Sequence, residues 1–168
     1  MAQFTVNTKR IDPYKNFKFL LRFEGSNDPV AGISKISALK RTTEVVSHRE
    51  GNDLSTARHS PGRTSFEAVT LERGVTFDLD FEKWANQVYS TEGNAAVSLA
   101  NYKRNLIIDV LNLQGVVVKS YKLFRAWPSS YTAIPDLDAN ANATMIESLV
   151  LQNEGWERDD AIAEQAET

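Results

Sequence analysis

The 168-residue sequence predicts a mainly β fold, an antiparallel barrel or sandwich with one flanking α-helix and a long extended loop. Three observations predict it. About seven short segments carry strand patterning, one segment alone has clear helical spacing, and two apolar runs are separated by Gln114-Gly115, the spacing of a β-hairpin.

Along the chain, 17–23 reads Phe-Lys-Phe-Leu-Leu-Arg-Phe and alternates Phe17, Phe19, Leu21 and Phe23 against Lys18, Leu20 and Arg22, as a half-buried strand does. The turn-forming run 25–29 follows, and 30–46 is rich in β-branched residues, predicting one long strand or two with a bend near Ala38. Residues 47–62 change character: His48, Arg49, Glu50, Asn52, Asp53, Arg58, His59, Pro61 and Gly62 predict a long polar loop. Loops beyond about 12 to 15 residues are uncommon in compact domains and usually serve a partner. A strand over 64–73 comes next. In 78–89, Phe81, Trp84, Ala85 and Val88 share one helical face, with Asp78, Asp80 and Glu82 at the positive end of the helix dipole. A second short helix is expected within 94–102, then strands over 104–113, 116–127, after Pro128, and over 144–152.

A chain of this length buries roughly 70% of its unfolded surface without staples. It has no cysteine, which excludes disulfides, thiolate nucleophiles and cysteine zinc sites. No run reaches the length of a membrane span, and the N-terminus lacks a basic start followed by an apolar core, so folding in the cytoplasm without export is expected. The net charge of -3 is concentrated in 156–168, where five acids stand against Arg158. The body is nearly neutral, which argues against nucleic acid as primary ligand. Residues 1–158 are read as one domain and 159–168 as a flexible acidic tail.

Few motifs suggest chemistry. Asp136, Asp138, Asn140, Asn142, Thr144 and Glu147 occupy positions 1, 3, 5, 7, 9 and 12 of a calcium loop, but position 6 is Ala141 where the sharp turn needs glycine. Pro135 precedes it and Glu147 lies in a strand pattern, so a side-chain-bonded turn is the better reading. His48 and His59 have no carboxylate at zinc spacing, and no nucleophile elbow or phosphate loop is present. No catalytic, cofactor or metal residue is assigned, and the chain is not read as an enzyme.

Several segments together resemble one family, the inner tube proteins of contractile phage tails and extracellular contractile injection systems. They are residues 12–17 (Asp-Pro-Tyr-Lys-Asn-Phe), 30–35 (Val-Ala-Gly-Ile-Ser-Lys), 42–51 (Thr-Thr-Glu-Val-Val-Ser-His-Arg-Glu-Gly), 60–62 (Ser-Pro-Gly), 70–76 (Thr-Leu-Glu-Arg-Gly-Val-Thr), 135–142 (Pro-Asp-Leu-Asp-Ala-Asn-Ala-Asn) and 154–158 (Glu-Gly-Trp-Glu-Arg). They run in family order over about 12–158. Ala38 departs from a frequent glycine, and the tail beyond Arg158 is longer than usual.

The resemblance implies an Hcp-like antiparallel β-barrel with a flanking helix, six copies per ring, and rings stacked into a hollow tube inside a contractile sheath. The implied partners are further copies of the chain, the sheath protein, and baseplate and tube-terminator proteins, with an unassigned lumen cargo. The polar loop is then expected to join successive rings through Arg49, Glu50, Asp53, Arg58 and Arg63, while Phe81, Trp84 and Val88 pack the helix on the barrel. A tube-initiating ring at the baseplate and a secreted barrel-fold effector or binding module are the alternatives.

Overall fold

The computed structural model describes residues 4–30, 32–52 and 55–168. Strand β1 (Phe19–Phe23) buries Leu21 by alternation and pairs antiparallel with β6 (Arg104–Leu111). Strand β2 (Ile33–Ile36) pairs with β5 (Val69–Gly74), and β5 pairs with β8 (Ile146–Gln152). The longest strand, β7 (Val117–Thr132), serves both halves: its first part pairs with β6 and with β9 (Trp156–Arg158), its second with β8. The order is β1-β6-β7-β8-β5-β2, all antiparallel.

Among the described residues no ladder joins the outer strands β1 and β2, so the sheet is curled but open where a closed barrel was expected. The outward edge of β1 is partly covered by its own chain, where Val30 N–H donates to Leu21 O at 2.6 Å and Arg22 bridges Pro29, and edge groups without such a partner are available for pairing.

The hand-over in β7 has a local cause. Arg125 has φ 48, a left-handed conformation rare for a residue with a Cβ, at a bulge where residues 123–126 oppose 104–106. Asn105 Oδ1 accepts from the Arg125 N–H at 2.8 Å and satisfies the donor that the bulge frees. The expected separate strand after Pro128 is thus a continuation of β7, with a further register shift between Pro128 and Ser130.

Helix α1 (Asp80–Val88) covers one face of the sheet. Phe81 and Trp84 are each 1% exposed, Val88 is half-buried, and Glu82, Lys83 and Asn86 face outward. The Trp84 indole Nε1 donates to Tyr102 O at 2.7 Å, and its ring meets Phe23 edge-on at 5.5 Å. Arg104 lies against both rings, 5.1 Å from Phe23 and 5.4 Å from Trp84. Only a short 3-10 turn, Asn94–Ala96, forms where a second helix was expected.

Leu21, Val69, Leu71, Leu106, Leu123, Leu149 and Leu151 complete the core with the helix residues. Fully burying each such side chain contributes about 1.5 to 3 kcal/mol.

Alternation also carries a charge inward. In β5 and β8 every second residue is buried, and the register sets Arg73 directly opposite Glu147 on the same face as the Leu71 and Leu149 pair. Arg73 is ion-paired to Glu147 and, at 2.9 Å, to Asp78 Oδ2, and its guanidinium lies 4.0 Å from the centre of the Phe81 ring. Asp78 Oδ1 accepts from the Asp80 N–H at 2.9 Å, so the carboxylate that starts the helix also closes the buried network.

Glu164 and Glu167 of 159–168, the stretch expected to be a flexible acidic tail, meet the N-terminal segment. Glu164 accepts bonds from the Thr5, Val6 and Asn7 N–H groups, the Thr5 hydroxyl and the Asn7 amide, and Arg10 pairs with Glu167. The acids repel one another less than this row of donors attracts them.

Candidate assembly interface

The 47–62 segment, expected to be all loop, is strand at both its ends, over 47–48 and 58–62. Strands β3 (Arg41–His48) and β4 (Arg58–Phe66) form a separate two-stranded antiparallel sheet, from Arg41 opposite Phe66 at the base to His48 opposite Arg58 near the tip. Only residues 49–57 connect them.

The base is fixed to the body. Glu67 N–H donates to Lys40 O at 3.0 Å, the two side chains form an ion pair, and the Phe66 ring packs edge-on against Trp156. Gly155 makes that packing fit: it has φ 131, and a Cβ there would stand 3.3 Å from the Phe66 ring.

Beyond its base the arm buries almost nothing. All eight residues of β3 and seven of the nine in β4 are exposed, and Val45 and Val46 are 66% and 49% exposed. At about 3.3 Å per residue, eight residues project about 26 Å. The arm has internal order, with the Thr43 and Thr64 hydroxyls 2.8 Å apart and a bulge between Thr43 and Val45. Gly62 fills that bulge closely, since a Cβ there would meet Val46 Cγ2 at 3.0 Å.

The expected contact residues separate along the arm. Arg49 and Glu50 follow the end of β3 and Arg58 opens β4, so these three share the distal end, whereas Arg63 lies nearer the base beside the bulge. Asp53 lies outside the described residues. Sequence reading missed Val45 and Val46, whose signal was two adjacent valines in an otherwise polar run.

Glu147, the twelfth position of the calcium-like spacing, is bonded to Arg73 and accepts from the Tyr131 hydroxyl at 3.0 Å. Desolvation, then that bond, push the Tyr131 phenol up to about 12, so it remains a donor. Asp138 Oδ1 accepts from the Asn140 N–H at 2.9 Å, an Asx turn. Among the described residues no group of three or more metal-ligand side chains converges.

The family model of the T4-like virus tail tube protein gp19 matches residues 15–157. The chain belongs to this tail tube family. A chain in the anti-feeding prophage baseplate, a six-fold symmetrised structure, is similar at 25% identity with TM-score 0.72, covering 89% of this chain and 97% of that one. A chain in the sheath-tube complex of the extracellular contractile injection system PVC has 18% identity and TM-score 0.73, with 94% and 99% covered. Hcp1 from Flavobacterium johnsoniae shares the fold more distantly, at 13% identity and TM-score 0.54 over 83% and 93% of the two chains. No curated protein matches the chain.

Among the described residues of this tail tube protein, no helix is long and apolar enough to cross a membrane.

Proposed function

We propose that this chain is a structural, non-enzymatic subunit of the hollow inner tube of a contractile, phage-tail-like particle. It is made in the bacterial cytoplasm, closes with five further copies into a ring, and stacks in rings inside a sheath through which cargo is delivered. Neighbouring copies supply the pairing that β1 and β2 lack alone, completing the barrel. Phe81, Trp84 and Val88 hold α1 on that barrel, and baseplate and terminator proteins cap the stack.

The observation that carries this reading is the arm. A two-stranded sheet with both faces in water is marginally stable by itself, and it gains a packed face only on another molecule. In a tail tube family member that molecule is another ring. Arg49, Glu50, Asp53, Arg58 and Arg63 carry charges suited to contacts with the adjacent ring. Each exposed pair is weak, but a ring repeats the set in every copy, so their effects combine. Stacking should weaken at 1 M salt, where screening shortens to about 3 Å.

Replacing residues 50–59 with a short Gly-Ser linker tests this. The variant is expected to keep its melting temperature and form rings but no long tubes. Full-length tubes from it would place ring stacking elsewhere. The match to a baseplate chain favours a tube-initiating ring as the second reading. Such a ring would assemble once and stop, whereas a tube subunit adds ring after ring. A secreted effector or binding module would form no rings.

A further inference from the structure

The segments that flank the tube domain meet each other. The family model matches residues 15–157, and outside it the N-terminal residues bond to residues 157 to 159 positions further along the chain. Glu164 Oε2 accepts from the Thr5 and Val6 N–H groups at 2.6 and 3.1 Å and from the Thr5 hydroxyl at 2.8 Å, while Oε1 accepts from the Asn7 N–H at 2.9 Å. Three successive backbone donors turned on one carboxylate make an anion-binding concavity. The Asn7 side chain reads the backbone that follows. Its Nδ2 donates to Glu164 Oε1 at 2.9 Å and to Gln165 O at 2.8 Å, and its Oδ1 accepts from the Glu167 N–H at 2.9 Å. Arg10 pairs with Glu167, and two rings hold it in place: its guanidinium lies 4.9 Å from the centre of Phe4 and 4.4 Å from that of Tyr14, which meet edge-on.

We propose that residues 5–10 form a receptor for an extended acidic peptide with carboxylates three residues apart, and that the chain's own 164–167 segment occupies it as a displaceable strap. The partner that fits is a protein segment of the same chemistry, an extended Glu-x-x-Glu run that competes with the strap.

Three observations favour this occupant. The site grips side chain and backbone together, so a carboxylate without the peptide that follows it fills only half of it. The strap can leave without opening the core, because the residues that build or pack against the core end at Trp156. The surroundings are basic as well. Lys9, Arg10, Lys15 and Lys18 line the groove in which Glu167 and Thr168 end, against one acid of the receptor side, Asp12.

The full-length chain carrying Glu164→Gln and Glu167→Gln vacates the receptor and leaves residues 5–10 and the core untouched. Calorimetric titration of this variant with a synthetic peptide of residues 159–168 is expected to show one-to-one binding. In the unaltered chain the strap holds the site at the roughly millimolar effective concentration of a short tether, so the same peptide should bind about tenfold more weakly or worse. A peptide carrying Glu164→Gln, which loses the charged acceptor, should bind the variant about tenfold more weakly than the unaltered peptide. An arm without any variant uses nitrogen-15 NMR of the unaltered chain, where excess peptide should move the amide signals of residues 164–168 to those of a free tail. The proposal is overturned if the variant does not bind the peptide or if both peptides bind it equally, which would be general attraction of acids to lysines. Amide signals of 164–168 that stay fixed in excess peptide would also overturn it, since the strap would then be a permanent part of the fold.

Discussion

Arg73 shows how one residue ties the fold together. It is fully buried, its charge is met by Glu147 across the ladder and by Asp78 at the start of α1, and Phe81 covers it. Removing one partner of a buried pair leaves the other charge uncompensated and costs about 3 to 5 kcal/mol. Urea denaturation of Arg73→Met should show a loss of that size, with most of it recovered in Arg73→Met combined with Glu147→Leu. An unchanged midpoint for the single variant would mean that the pair contributes nothing. Glu164 makes a prediction about pH. Desolvation opposes its ionisation, but the bonds from Asn7, Val6 and Thr5 outweigh it and hold the carboxyl at about 2, below the ordinary 4.5. A depressed folded-state value means that docking is fully present above about pH 4.5 and is lost as pH falls through about 2. Proton NMR of the tail residues should show release in that window at acid pH and an ordered tail at neutral pH. In Glu164→Gln the tail should be loose at every pH.

At the scale of elements, α1 and the arm answer to opposite forces. The helix is held by what it buries, so Trp84→Ala should cost about 3 to 5 kcal/mol in denaturant unfolding, as large core truncations do; an unchanged stability would mean that the helix does not rest on the sheet. Beyond its base the arm buries almost nothing, and for the same reason it was hard to read. Strands β1, β6, β7 and β8 were legible because one face is in the core, which imposes a period of two on Leu21, Leu106, Leu149 and their neighbours. Strands β3 and β4 have both faces in water, so no alternation marks them, and Pro61 with Gly62 inside β4 reads as a turn. The polar character of 47–62 was correctly seen and its backbone was not. Pro128 split β7 on paper for a similar reason, although a bulge accommodates it. The inward Arg73 was hidden because Arg-Gly at a strand end looks like a turn, and the capture of Glu164 by residues 5–7 depends on a meeting across 157 to 159 residues that no local pattern reports.

At the scale of the whole molecule, a nearly neutral body, an open sheet and a projecting arm suit the proposed subunit, in which these surfaces would face other copies. Its family was legible from the order of short segments across 12–158, and the family match over 15–157 agrees with it. The mainly β, antiparallel architecture was legible; whether the outer strands β1 and β2 pair was not, because that depends on long-range geometry that no local pattern reports. Self-assembly is the central claim, and negative-stain electron microscopy of the purified chain over a range of concentrations tests it most directly. The account predicts six-fold rings with a central lumen that stack into hollow tubes as concentration rises and revert to rings at high salt. Monodisperse monomers at every concentration would contradict it.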